Sequence, residues 1–210
     1  MYSSNFHMQQ SSMIKIISLQ NLAEVRTAVV FRDGPPTEDP NGNARALGIR
    51  DLVRNRSVNW RELPQVRIDA KLLGNCLVPG DVTLPSRGDR YCAWHFDGAD
   101  ENVFPLGHVS VIRANAALDS RYLSWYLNRS ATQTQIVGLL TGTNIKALTK
   151  TTLLNVQVKV PRLEVQQRIA QLDSRGARLV EIRNRINYLE MTEIAYLTDK
   201  LLETEEAKHE

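Results

Sequence analysis

After Pro161 the chain contains no further proline and a single glycine, Gly176. Nothing in that stretch stops a helix, because proline and glycine are the residues that most often end one. Its apolar residues fall on one stripe. Leu172, Leu179 and Ile186 are spaced by sevens, as are Ile182 and Leu189. Ile194, Leu197 and Leu201 continue the stripe, and the step of 11 from Ile186 to Leu197 marks one slip of phase. A helix over 162–206 is therefore expected, with 207–210 as a tail. From Leu163 to Glu203 such a helix is about 60 Å long, whereas a body of about 160 residues has a radius of gyration near 15 Å. Docking on its own domain would bury part of the stripe. The overhang favours a second helix as its cover.

The body, 14–161, has a different rhythm. The polar leader 1–13 has neither helical nor strand period and is expected to be flexible. Ile14, Ile16 and Ile17 suggest a strand, Leu19 to Val25 a short helix, and Val29 to Phe31 a second strand. Asp33-Gly34-Pro35-Pro36 opens an exposed loop that lasts to Asn43. Further strand candidates are Ala44 to Ile49, Val82 with Leu84, Tyr91 to Phe96, His108 to Ile112, and Val156, Val158 and Val160. Asp119 is placed to cap a helix carrying Tyr122, Leu123, Trp125, Tyr126 and Leu127, and a second helix covers Thr132 to Leu140. The expected class is α+β: a small curved, mostly antiparallel sheet plus helices, followed by the long C-terminal coiled-coil helix.

Charge separates the same two regions. Residues 1–162 carry 19 Lys+Arg and 13 Asp+Glu, net +6, and residues 163–210 carry 7 and 10, net −3. Cys76 and Cys92 sit in apolar or aromatic settings and read as buried thiols, not a disulfide framework. No apolar run reaches membrane-spanning length and no secretory leader is evident, so the cytoplasm is the expected compartment.

The chemistry-bearing motifs of common enzymes are missing. Gly34 and Thr37 spoil the Asp-Pro-Pro-aromatic box of an amino-methyltransferase. Gly138 to Thr143 lacks the Gly-Lys-Ser/Thr ending of a phosphate loop. His7, His95, His108 and His209 have no partner at metal-ligand spacing, and Ser86 has no evident base. The chain is read as non-catalytic, with no metal and no cofactor of its own.

What remains is a set of basic loops. Pro79-Gly80-Asp81 makes a turn into Val82-Thr83-Leu84, after which Arg87 and Arg90 flank Gly88-Asp89. Thr143 and Asn144 precede Lys146 and Lys150, which share a face if that stretch is helical. The backbone N–H groups of a helix start there would favour phosphate. Arg45, Arg50, Arg54 and Arg56 follow the Gly/Pro loop. Arginine and asparagine suit base edges, and lysine and threonine suit phosphates. Aromatics near these loops are few (Trp60 and Tyr91), which favours duplex over single strands. The candidate DNA-binding set is Arg45, Arg50, Arg87, Arg90, Thr143, Asn144, Lys146 and Lys150. Each of these is also readable as an ordinary solvated loop residue.

Five segments in order resemble the specificity subunits of type I restriction–modification systems. They are Leu22-Ala23-Glu24-Val25-Arg26-Thr27; Leu77 to Val82 with Pro85-Ser86-Arg87-Gly88; Tyr122 to Asn128; Gly142 to Leu148; and Val160-Pro161-Arg162-Leu163-Glu164-Val165-Gln166 to Ile169. The resemblance implies a target recognition domain followed by a helical spacer. It also implies recognition of double-stranded DNA and a methyltransferase subunit as partner, with a restriction subunit as a further one. That methyltransferase carries S-adenosylmethionine and methylates adenine N6 at a split site. The family's usual plan has two recognition domains and two spacers, and this chain has one of each. Two copies pairing antiparallel through Leu172, Leu179, Ile182, Ile186, Leu189, Ile194, Leu197 and Leu201 would restore that plan. Pairing with a different half-subunit, or membership in a longer chain, would do so too. The alternative of another class is a protein-interaction module or antirestriction decoy that binds methyltransferase subunits without reading DNA.

Overall fold

The computed structural model describes residues 14–32, 34–52, 58–88, 91–140 and 147–206. It divides into a globular unit ending at Arg168 and a second unit from Ile169 onward.

The globular unit is built on three small sheets. β1 (Lys15–Ser18) leads through a 3-10 turn at Leu19–Asn21 into β2 (Ala23–Thr27). β3 (Ala44–Leu47) and the two-residue β4 (Gln65–Val66) follow, then β5 (Asp81–Pro85), β6 (Trp94–His95), β7 (Val103–Pro105) and β8 (Val109–Ala114). Helices α1 (Ser120–Asn128), α2 (Ser130–Leu139) and the short α3 (Lys150–Leu154) come next, then β9 (Gln157–Val160) and α4 (Leu163–Glu206). The largest sheet is antiparallel, in the order β2-β8-β5-β6. The second, β4-β3-β7, is mixed, with β3 and β7 parallel. The third joins β1 to β9 antiparallel, with Lys15 opposite Val160.

Several expectations need correction. Leu19 to Val25 is not a helix: one 3-10 turn gives way to β2, whose Glu24 is exposed while Val25 packs inward. Val29 to Phe31 forms only a single bridge, Val29 to Leu106. Tyr91 to Phe96 shrinks to Trp94–His95, because Asn128 takes the hydrogen bonds of Ala93 that a longer strand would use. The alternation expected of Val82 and Leu84 is overridden. β5 lies between β8 and β6, packs against α1, and is buried at every position.

The core explains why these short strands hold. Leu47, Leu63, Leu77, Phe96, Val103, Val109 and Val111 are all buried in one cluster that joins the two larger sheets. A second cluster sets Phe104 against Ala44, Ala46, Val66 and Ile68. Burying an apolar side chain of this size contributes about 1.5–3 kcal/mol. Sheets this small depend on such shared clusters, since a two- or three-strand sheet is marginal alone. Cys76 and Cys92 are buried thiols, as their settings suggested.

Within the second unit α4 continues unbroken through Gly176 to Glu206. Leu172, Leu179, Ile182, Ile186, Leu189, Ile194, Leu197 and Leu201 are all exposed there. No helix among the described residues is long and apolar enough to cross a membrane.

Candidate nucleic-acid interface

The Pro79-Gly80-Asp81 turn is a structural joint. Gly80 takes φ +95°, a conformation that side-chain-bearing residues rarely adopt. That turn points the Asp81 carboxylate inward, where it is fully buried. Oδ2 accepts from the backbone N–H of Val78 at 3.0 Å. The Arg113 guanidinium closes on both oxygens, at 2.8 and 2.9 Å. Arg26 Nη2 lies 3.8 Å from Oδ2 and donates to the Cys76 carbonyl at 3.1 Å. The hydrogen bond to Asp81 raises the Arg113 pKa, whereas burial lowers that of Arg26. This ion cluster fixes the start of β5, and so fixes where Ser86 and Arg87 emerge at its other end.

At that other end two basic loops meet. Ser86 Oγ and N–H both donate to the His108 carbonyl, at 2.9 and 2.7 Å. The Ser86 carbonyl accepts from Leu148 N–H at 2.9 Å, and Arg87 forms an antiparallel bridge with Ala147. Leu148 is buried and pins the far strand of this junction. Gly88, at φ +106°, turns the chain back, and its carbonyl receives the Tyr91 hydroxyl at 3.0 Å. Arg87 and Lys150 are exposed and have no ion pair among the described residues.

The strand register brings other cations to the same end. β2 ends at Thr27 opposite Ser110, β5 at Pro85 opposite Val109, and β3 at Leu47 beside Pro105. The segments leaving these strands carry Arg32, Arg50 and Arg87. Arg32 is exposed, follows the Val29–Leu106 bridge, and was missed in the sequence because it sits before the loop that drew attention. Arg50 is largely exposed, with Asp51 3.9 Å away.

Other predicted residues are placed differently. Arg45 is withdrawn: its Nε donates to Glu101 and its Nη1 to the Leu63 carbonyl at 3.0 Å, so its cation closes β3 onto neighbouring loops. Away from the junction, Arg61 pairs with Asp100, Arg67 with Asp39 and Lys71 with Asp69. Lys150 does not continue a helix from Lys146. It opens α3, and Thr149 caps that helix by accepting from Thr152 N–H at 3.1 Å. Residues 147–149 are non-helical. Arg54, Arg56, Arg90, Thr143, Asn144 and Lys146 lie outside the described residues, as do the leader 1–13 and the tail 207–210.

Residues 78–189, more than half of the chain, match the model of the Type I restriction modification DNA specificity domain. The chain belongs to that family. Solved structures share the fold. A type I restriction–modification S subunit from M. genitalium is 14% identical with a TM-score of 0.51, over 80% of this chain and 40% of that one. The HsdS subunit from Thermoanaerobacter tengcongensis gives 17% and 0.59, over 87% and 42%. A structure from work on the complex assembly and conformational transition of the type I R-M system gives 17% and 0.58, over 92% and 46%. The chain thus spans less than half the length of each. No curated protein sequence matches it.

The residues that mark this specificity domain as a family member turn out to be its scaffold. Asp81 anchors β5. Tyr122 donates to the Lys159 carbonyl at 2.6 Å, and burial beside Tyr126 pushes its phenol pKa up to about 12. Gln166, fully buried, accepts from Asp119 N–H at 2.8 Å and donates to the Ala117 and Pro161 carbonyls. The exposed Arg32, Arg50 and Arg87 sit on the segments that this scaffold presents. Among the described residues no cluster of His, Cys, Asp and Glu could hold a metal ion.

Proposed function

We propose that this specificity domain reads a short stretch of duplex DNA with the end of the globular unit that carries Arg32, Arg50, Arg87 and Lys150. The observation that supports this most is the Arg87–Ala147 bridge. It joins two separate basic loops into one surface, on which Arg87 and Lys150 have no ion pair among the described residues, whereas Arg61, Arg67 and Lys71 elsewhere pair with carboxylates. Arginine at such a surface tests guanine edges, and lysine holds phosphate.

The chain supplies the address, and a partner methyltransferase subunit supplies the chemistry. That subunit binds S-adenosylmethionine and takes the target adenine out of the stack for N6 methylation. A restriction subunit acts on sites left unmodified. Two copies of the chain, paired antiparallel through α4, place identical readers at both ends of a split site.

Selection from random duplexes by the chain together with its methyltransferase tests the reading. One short motif in two inverted copies is the expected product. Equal recovery of all sequences overturns it and favours a decoy.

A further inference from the structure

α4 carries its charge unevenly. From Ile169 to Arg185 it has four arginines against two acids, net +2, and from Ile186 to Glu206 one lysine against six acids, net −5. Two such helices side by side in parallel set like charge against like. Turned end for end, they set basic against acidic along their whole length.

The exposed stripe has a matching order. Taken in alternating steps of three and four from Leu172, it holds only two charges up to Tyr196, Arg175 and Glu193. Reversed about Asn184, it lays Leu172 against Tyr196, Leu179 against Leu189 and Ile182 against Ile186. Arg175 then falls opposite Glu193. All eight positions are satisfied: six meet apolar with apolar, and two meet cation with anion. Leu172, Leu179, Ile182, Ile186, Leu189 and Tyr196 are each exposed by two-fifths or more of their surface in the single chain.

We infer that the occupant of this stripe is a second copy of the chain, antiparallel, in the one register that sets Arg175 of each copy against Glu193 of the other. This rests on the self-pairing put forward above and fixes its alignment. A charged pair within an apolar seam selects register, because sliding by one heptad sets Arg175 against Ile186 in one direction and, in the other, Glu193 against Ile182 and Arg175 against Lys200. In this register the two Arg168 residues, where the globular units end, lie about 48 Å apart along the helices. Ile194 falls between the matched layers and Leu197 and Leu201 beyond them, so they contribute less to pairing than Leu179 or Ile182.

Sedimentation of the full-length chain tests this with R175E, E193R and the double variant R175E/E193R. All three changes are on exposed helix surface, and circular dichroism checks that the fold is retained. Wild type is expected to dimerise. Each single reversal, which creates two like-charge contacts, should weaken the dimer about tenfold or more, and the double variant should return to near wild type. Mixed L172C and Y196C chains should then cross-link on oxidation, and neither alone should. A monomeric wild type overturns the self-pairing itself. A wild-type dimer indifferent to the reversals, or cross-linking of L172C with L201C in place of Y196C, overturns only the register.

Discussion

Asp81 and Arg87 stand six residues apart on one strand and its exit, yet they do different work. Asp81 is a buried anion whose loss leaves Val78 N–H and the paired guanidiniums without their acceptor. Breaking such a cluster from one side costs about 3–5 kcal/mol. Asp81→Ala should therefore lower the urea midpoint sharply, whatever DNA is present. Arg87→Ala should leave that midpoint unchanged and reduce affinity for the selected duplex by about 1–3 kcal/mol. Lys150→Ala should weaken all sequences alike and flatten the salt dependence. His95 gives a pH test. Burial lowers its pKa, although Asp97 opposes this, and Nε2 lies 3.0 Å from Ser120 Oγ. A histidine depressed on folding binds its proton more readily in the unfolded chain. Its contribution to stability is complete above the unfolded value, about 6.5, and declines as pH falls through it. Thermal melts from pH 8 to 5 should show that decline, and His95→Gln should reduce it.

Among the elements, the entry to α4 is the most exacting. Gln166 supplies three hydrogen bonds: two tie the first turns of α4 to the segment before α1, and the third reaches back to the Pro161 carbonyl. Gln166→Ala removes all three and strands buried backbone groups, each worth about 1–3 kcal/mol, so chemical denaturation should show a loss of several kcal/mol. The long helix, the capped α1 and the β9 strand were legible in the sequence because each depends on local pattern: periodicity, Asp119 as cap, and valines ending at Pro161. What was not legible depends on distant partners. Leu19 to Val25 looked helical because its apolar spacing fits a turn, but β8 supplies a strand for residues 23–27 to pair with. Arg45 looked free because Glu101 is far away in sequence. The meeting of the Arg87 and Lys150 loops had no local sign either, since Ser86 and Leu148 are joined only by backbone. The resemblance pointed to both segments without stating that they touch.

For the molecule as a whole, a two-fold pair of readers predicts a palindromic target interrupted by a fixed gap. Lengthening α4 by one 11-residue repeat inserted at Asn184, the centre of the pairing, should move the half-sites apart with the matched layers kept, a change that methylation mapping in the host would detect. The pairing of β1 with β9 has a further consequence. Lys15 lies beside Val160, so the first described strand starts at the foot of α4. In the antiparallel alignment, Glu206 of one molecule runs alongside Arg162 of its mate, next to that mate's opening strand. A short peptide joining tail to head should therefore fuse two molecules into a single continuous polypeptide with both readers intact, roughly twice this length and nearer the size of the S subunits it resembles.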